Sequence, residues 1–305
     1  MIKEREGKVV KGLGGLFEVR IEDGGEIRRI ACHAKGILKR DEEKVLIGDL
    51  VRVTTDEHGS VISEIFPRKS ALIRPPMANL DYMFIVIASA KPTPATETVD
   101  KLTAIAYNKG ITPVIVITKS DLSDESAHYA KIYKDSGFPT FVTSSTDGAG
   151  VEELSEYIKT HVRDGKTAAF AGASGVGKST LLNALFPTLA LSTGEISRKI
   201  ERGRHTTRHV EIFDVEGGGF FADTPGFSLI DFSRFDFFTV EELLPAFPDI
   251  LLYSHDCRYA DCSHVGEGAD ECAVMAAAER GEIPKSRLES YRSIYRVLKN
   301  KNKYD

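Results

Sequence analysis

Nine residues, Gly172-Ala173-Ser174-Gly175-Val176-Gly177-Lys178-Ser179-Thr180, have the types and spacing to hold a chain of phosphates. They fit G-x-x-x-x-G-K-[ST]. Glycines let backbone wrap close to an anion, successive N–H groups point into the loop, and the helix that follows presents its positive end. Lys178 then reaches the β- and γ-phosphates of a nucleotide, and the Ser179 hydroxyl ligates Mg²⁺. A glycine-rich turn that matched by accident would not need flanks. Here Thr167 to Ala171 reads as a buried strand and Leu181 to Leu185 as a helix. These residues alone leave the base and the purpose open.

Other stretches could complete such a site. The apolar, β-branched run Thr112 to Ile117 ends in Thr118-Lys119-Ser120-Asp121, at the carboxyl end of a strand, where open sheets bind ligands. A carboxylate there accepts from the N1–H and N2–H₂ of guanine, a pair that adenine lacks. The Lys119 stem can cover one face of the ring. A solvated helix start with Asp in its first turn has the same pattern. Thr143-Ser144-Ser145 follows a strand ending at Phe141-Val142, and its backbone can meet a base edge; taken alone it is a loop.

Beyond the phosphate loop, a basic stretch from Ser197 to His209 carries Thr206 and Thr207, and a threonine hydroxyl on a mobile loop can complete a Mg²⁺ shell. Phe220-Phe221-Ala222 then ends in Asp223-Thr224-Pro225-Gly226. Asp223 suits an outer role on Mg²⁺ and the Gly226 N–H the γ-phosphate, whereas in isolation D-T-P-G is also a turn.

The elements that must carry these loops are legible as pattern. Residues 1 to about 70 hold short strand-like runs at Val9-Val10, Leu16 to Ile21, Ile27 to Cys32, Leu50 to Val53 and Val61 to Ile65, separated by glycine-rich turns. A small barrel follows, with an OB-fold as the leading form, serving either RNA binding or plain packing. From Asn79 strands and helices alternate: Tyr82 to Ala88, Thr96 to Tyr107, Thr112 to Ile117, and a helix from Val151 to His161. That rhythm belongs to a doubly wound α/β sheet.

At 305 residues the chain is long for one core. With 28% charged and 42% hydrophobic residues its composition is that of a globular protein, and its longest apolar run is too short to span a bilayer. A cytoplasmic protein without a membrane partner is expected. The net charge of -5 excludes a uniformly basic nucleic-acid binder but not segregated charge. Residues 281 to 305 carry seven Lys/Arg against three Asp/Glu. Helical spacing over Ala273 to Arg280 and Pro284 to Lys299 puts Arg287, Arg292, Arg296 and Lys299 on a basic end, either contacting RNA phosphates or simply solvated.

Cys257, Cys262, His264 and Cys272 crowd one short segment. Three thiolates and an imidazole can close a tetrahedral Zn²⁺ site, which would stabilise a segment with little core. The spacing is not C-x₂-C, so three buried free thiols are the competing reading, and His255 is a second imidazole nearby. Cys32 is expected to be buried.

Taken together, the G-x-x-x-x-G-K-S loop, a switch Thr, D-T-P-G, T-K-S-D and T-S-S resemble the five signatures of a GTPase written in rotated order, the last two coming first. With a β domain before and a Cys/His segment after, the whole chain resembles the circularly permuted, ribosome small-subunit-dependent GTPases of the RsgA type. That resemblance implies three domains: an OB-fold β-barrel over 1–70, a permuted α/β P-loop GTPase domain over 71–230, and a mainly helical zinc-binding domain with a basic tail over 231–305. It implies a monomeric GTPase, slow alone, that binds GTP and GDP, the small (30S) subunit and its 16S rRNA.

It further implies nucleotide contacts from Thr118 to Asp121, Thr143 to Ser145, Gly172 to Thr180 and Asp223. Mg²⁺ accompanies GTP on Ser179, Thr207 and Asp223, and one structural Zn²⁺ sits on Cys257, Cys262, His264 and Cys272. Lys178, Thr207 and Gly226 serve the reaction. Phe227 stands where Ras-like proteins have a water-orienting Gln, so a group from elsewhere must complete hydrolysis, and His205 is the candidate, the other reading of it being a surface His in a basic RNA-contacting loop. The rivals are a P-loop ATPase or small-molecule kinase, which needs no guanine reader, and a nucleotide-switched RNA-binding module without turnover.

Overall fold

A computed structural model of the chain describes residues 3–35, 44–187, 210–223, 232 and 234–301. Two compact units contain them. One takes the described residues up to Tyr82, Lys159–Ala169 and the hairpin over residues 210–223; the other takes Met83–Ile158, residues 170–187, and the described residues from 232 on.

The first unit is built on β1 (Lys3–Leu13), β2 (Leu16–Asp23), β3 (Glu26–Ala34), β4 (Leu50–Asp56) and β5 (Gly59–Ile65). β1 pairs antiparallel with β2 from Gly7↔Ile21 to Leu13↔Leu16 and with β4 from Lys3↔Thr55 to Lys8↔Leu50. β2 pairs with β3, β3 runs parallel to β5 at His33↔Val61, and β4 pairs with β5, so the five strands close on themselves without an edge. Alternation fills the inside: Val9, Val19, Ile21, Cys32, Val51, Val53 and Ile62 are each 0–1% exposed. The β2–β3 turn is Gly24-Gly25, both with positive φ (65° and 84°), the conformation a two-residue hairpin loop demands. Burial pushes the Cys32 thiol up to about 11, which leaves it unreactive.

Two short strands, β6 (Ala71–Leu72) and β7 (Met77–Ala78), follow the barrel. The same unit holds β12 (Glu211–Val215) and β13 (Gly219–Asp223), an antiparallel hairpin whose β13 runs parallel to the start of β11 (Thr167–Ala171). β12 joins the barrel at Lys11↔Glu211, where the side chains also pair at 2.9 Å. Lys8 is 7% exposed; its ammonium donates to Gly165 O (2.9 Å) and Thr167 Oγ1 (2.8 Å) and lies 4.0 Å over the Phe220 ring.

In the second unit β8 (Tyr82–Ala88), β9 (Thr112–Thr118) and β10 (Thr140–Val142) are neighbours in the order β10-β9-β8, with β10 parallel to β9. Met83 to Ala88 and Pro113 to Thr118 are buried throughout, as strands covered on both faces must be. Helices α1 (Thr96–Asn108), α2 (Ser126–Asp135), α3 (Val151–His161) and α4 (Lys178–Leu185) alternate with the strands. The C-terminal part carries α5 (Pro248–Ser254), α6 (Ala273–Glu279) and α7 (Lys285–Lys301) with irregular backbone between them. No helix among the described residues is long and apolar enough to cross a membrane.

Helix α7 corrects the reading of its basic residues. Arg287 is fully buried, not on an RNA-facing surface. Its guanidinium donates to Asp100 Oδ1 (2.9 Å) and Thr103 Oγ1 (3.1 Å) on α1, and to both Asp249 oxygens (2.9 and 2.8 Å) on α5. It also lies over the rings of Phe247 (4.5 Å) and Phe138 (5.1 Å). Asp100 and Thr103 are one helical step apart on α1, so a face that is otherwise apolar offers Arg287 two acceptors. Arg296 and Lys299 remain exposed.

Candidate functional site: a phosphate loop, the T-K-S-D loop and a four-ligand cluster

Strand β11, buried along its length, runs into Gly172 and the loop that ends at α4. Two glycines are obligatory here. A Cβ at Gly172 (φ 136°) would lie 2.3 Å from Val86 O, and Gly177 caps α4 with φ 102°. The Lys178 ammonium donates to Gly172 O (2.7 Å) and Ala173 O (2.6 Å), which fixes a positive charge beside the N-terminus of α4. Val176 is buried, while Ser174, Gly175, Ser179 and Thr180 face solvent. A cation, a helix N-terminus and a tight glycine loop form an anion cradle.

The T-K-S-D residues meet that loop. Thr118 is 3% exposed, and its hydroxyl donates to Val176 O at 2.5 Å. Lys119 is left-handed (φ 60°), and its ammonium donates to Gly175 O (2.8 Å) and to Lys91 O. Ser120 opens a 3₁₀ turn, Ser120–Leu122, and its N–H donates to Thr143 O at 3.2 Å; Asp121 is exposed. The Thr118 hydroxyl thus ties this loop to the phosphate loop.

Thr143 and Ser144 are fully buried and Ser145 is exposed. Ser144 Oγ accepts from Thr146 N at 3.3 Å, and Gly150 lets the turn close where a Cβ would stand 2.0 Å from Val142 O. Hydrogen bonds from Ala149 and Ser144 hold the Asp147 carboxyl below its ordinary range. Thr118–Asp121, Thr143–Ser145 and Gly172–Gly177 thus leave the carboxyl ends of β9, β10 and β11. Asp223 closes β13 by backbone pairing with Glu211. His205, Thr206, Thr207, Gly226 and Phe227 lie outside the described residues.

The loop leaving β8 also reaches this site, at Ser89 and Lys91, and the sequence reading did not single it out. Its signal was a Ser-Ala-Lys-Pro run directly after a fully apolar strand.

In the C-terminal part, the ligand atoms of Cys257, Cys262, His264 and Cys272 lie within 4.8 Å of one another. Cys257 Sγ stands 3.9 Å from Cys272 Sγ and 3.6 Å from His264 Nδ1, and His264 Nδ1 stands 3.4 Å from Cys272 Sγ. Tetrahedral zinc with ordinary bond lengths separates two sulfurs by about 3.8 Å and a sulfur from a nitrogen by about 3.6 Å, so the donor set fits that ion. The longer gap before Cys272 does not keep it from the cluster.

Burial pushes Cys262 up to about 12 and raises Cys272, while burial lowers His264 and keeps its imidazole neutral. A dication would exchange those thiol protons for ligand bonds. Glu267 braces the loop, accepting from the N–H groups of Ser263, Val265 and Gly266 and from Ser263 Oγ. Burial opposes its charge, but those hydrogen bonds outweigh it and hold the carboxyl at about 2. Arg292 Nε donates to His264 O (2.9 Å), tying the cluster to α7.

The chain matches two family models, RsgA N-terminal domain over residues 6–62 and RsgA GTPase over residues 65–233. The chain belongs to the RsgA GTPase family. Its relatives include the small ribosomal subunit biogenesis GTPase RsgA of Alkaliphilus metalliredigens, 39% identical over 98% of this chain and 99% of that protein. The RsgA of Geobacillus sp. (strain WCH70) is 38% identical over 97% of this chain and 98% of its own length. Among solved structures, YjeQ from Thermotoga maritima superposes with a TM-score of 0.77 at 35% identity, covering 97% of this chain and 99% of that one. YloQ, a circularly permuted GTPase, gives 0.77 at 34%, covering 98% and 96%. Membership in RsgA accounts for the rotated order of the loops: T-K-S-D and T-S-S precede the phosphate loop in sequence.

Proposed function

We propose that this chain is a cytoplasmic, monomeric GTP hydrolase that docks on the small (30S) ribosomal subunit and its 16S rRNA. It acts late in that subunit's assembly and leaves after hydrolysing GTP to GDP and phosphate, with stimulation by the subunit. The observation that carries the guanine-nucleotide reading is the pair of links, Thr118 to Val176 and Lys119 to Gly175, which join a base-reading loop to a phosphate loop. Relatives at 36–39% identity over nearly the whole chain, named small ribosomal subunit biogenesis GTPases, support the ribosomal role.

In this reading Asp121 accepts from N1–H and N2–H₂ of guanine while the Lys119 stem covers the ring, and the T-S-S backbone meets the base edge. Lys178 and the loop N–H groups stabilise charge growing on the phosphate oxygens. Ser179, Thr207 and Asp223 are the residues proposed to hold Mg²⁺, which when bound with the nucleotide would neutralise phosphate charge. The Gly226 N–H approaches the γ-phosphate. Phe227 cannot orient water, so turnover alone is slow, and His205 is proposed to supply the missing group on the subunit. Cys257, Cys262, His264 and Cys272 would hold one structural Zn²⁺, which would tie together the C-terminal domain, 231–305. We propose a division into 1–70, 71–230 and 231–305; the two family models, which meet between residues 62 and 65, bear only on the first of these boundaries.

Phosphate release from GTP and from ATP, with and without purified small subunits, tests the proposal. Expected are slow GTP turnover, strong acceleration by subunits and no competition by ATP. Equal use of ATP would favour a kinase or ATPase, and nucleotide binding without release under any condition would favour a switch module.

A further inference from the structure

Ser89 directly follows strand β8; it is 3% exposed and touches the base-reading loop twice. Its N–H donates to Thr118 O (2.9 Å) and its hydroxyl donates to Lys119 O (2.7 Å). Lys119 is the residue in that loop with φ of 60°, a left-handed conformation that a side chain with a Cβ adopts only when its surroundings enforce it. Two donors grip its carbonyl, Ser89 Oγ just past β8 and Leu122 N from the 3₁₀ turn (3.0 Å). At its other end the Lys119 ammonium is shared between Gly175 O of the phosphate loop (2.8 Å) and Lys91 O, two residues past Ser89. Pro92 borders the same place, its Cδ 3.8 Å from where a Cβ on Gly175 would stand.

The direction in which Asp121 projects depends on the backbone at Lys119, two residues before it. If φ of Lys119 relaxes to an ordinary negative value, the Ser120–Leu122 turn swings and the carboxylate with it. We propose that Ser89 is a positioning residue for base recognition, its hydroxyl holding Lys119 left-handed so that Asp121 faces the guanine edge. The Lys91 carbonyl steadies the Lys119 stem across the ring. This inference rests on the guanine-nucleotide reading of Thr118–Asp121. A bond to the backbone at a strained residue is also one that loop-by-loop motif reading does not register, because Ser89 lies 30 residues upstream of its partner.

Calorimetric binding of GDP and of IDP, which lacks the 2-amino group, separates positioning from general support. The unmodified protein must first bind GDP more tightly than IDP; equal affinities overturn the guanine reading itself. Ser89→Ala is then expected to weaken GDP about tenfold and IDP much less, collapsing the ratio, while Ser89→Thr, which keeps a hydroxyl, restores it. Should the alanine variant fold poorly, Ser89→Cys keeps the packing with a weak donor and is expected to lower the ratio as well. A GDP-to-IDP ratio unchanged in the alanine or cysteine variant, even with both affinities reduced together, overturns the role of Ser89 and leaves the guanine reading standing.

Discussion

The hydroxyl of Thr118 and the carbonyl of Val176 are 58 residues apart in the chain and 2.5 Å apart in space. Through that bond the end of β9 and the middle of the phosphate loop share one geometry, which in the proposed reading couples base recognition to the phosphates. Thr118→Val keeps the buried shape but removes the donor and leaves Val176 O short of a partner, a loss of about 1–3 kcal/mol. GDP and GTP affinity should both fall by about tenfold, read by calorimetry. Unchanged affinity would mean that the two loops do not act jointly.

The Cys257–Cys272 segment has little core of its own, so its order should depend on the metal. One zinc per chain is expected, released when the thiols are titrated with a mercurial and counted with a chromogenic chelator. Cys262→Ser should release that zinc and lower the melting temperature, by the loss of a fold-completing ligand set. A protein that carries no zinc and melts identically after the substitution would return the cluster to three free thiols and an imidazole.

Arg287 sits fully buried between Asp100 and Asp249. Burial opposes the guanidinium's charge, but the two carboxylates outweigh it and raise its pKa further; burial raises Asp100 above the ordinary carboxylate range. Removing the cation alone strands two buried carboxylates, and Arg287→Met should cost about 3–5 kcal/mol in urea unfolding. The triple variant Arg287→Met, Asp100→Asn, Asp249→Asn strands none and should recover much of that loss. Equal losses in the single and triple variants would contradict an electrostatic origin.

The contrast between these sites explains what the sequence made legible. The phosphate loop, T-K-S-D and the strands before them are local: a run of buried residues followed by a fixed order of glycines, a lysine and hydroxyls, each required within a few residues of the next. The barrel strands were also legible, because glycine-rich turns bound them. Long-range polar choices were not. Arg287 reads as one of several basic residues on a helix face, and only the fold brings it to Asp100, 187 residues away. Ser89 reads as the end of an apolar strand. The pairing of β12 with β1 rests on Lys11 and Glu211, 200 residues apart, and neither residue type marks a strand edge by itself.

Lys8 gives a prediction whose sign can be worked out in full. Burial lowers its pKa from 10.5 to about 8, with the Asp81 charge opposing that shift, while its ammonium is held by Thr167 and Gly165 over Phe220. In the unfolded chain the ammonium keeps its proton up to the ordinary value, so between the two pKa values the unfolded state binds more protons than the folded one. Stability therefore rises with pH across that window. From about pH 7.5 to about pH 9.5 the gain attributable to this group is on the order of 2 kcal/mol. Tyrosines and other lysines contribute a background, so the difference between the unmodified protein and Lys8→Met is what matters. Urea unfolding at both pH values should show a steeper gain in the unmodified protein. The same pH slope in both would mean that Lys8 titrates as it does in water and that its burial against Phe220 costs nothing.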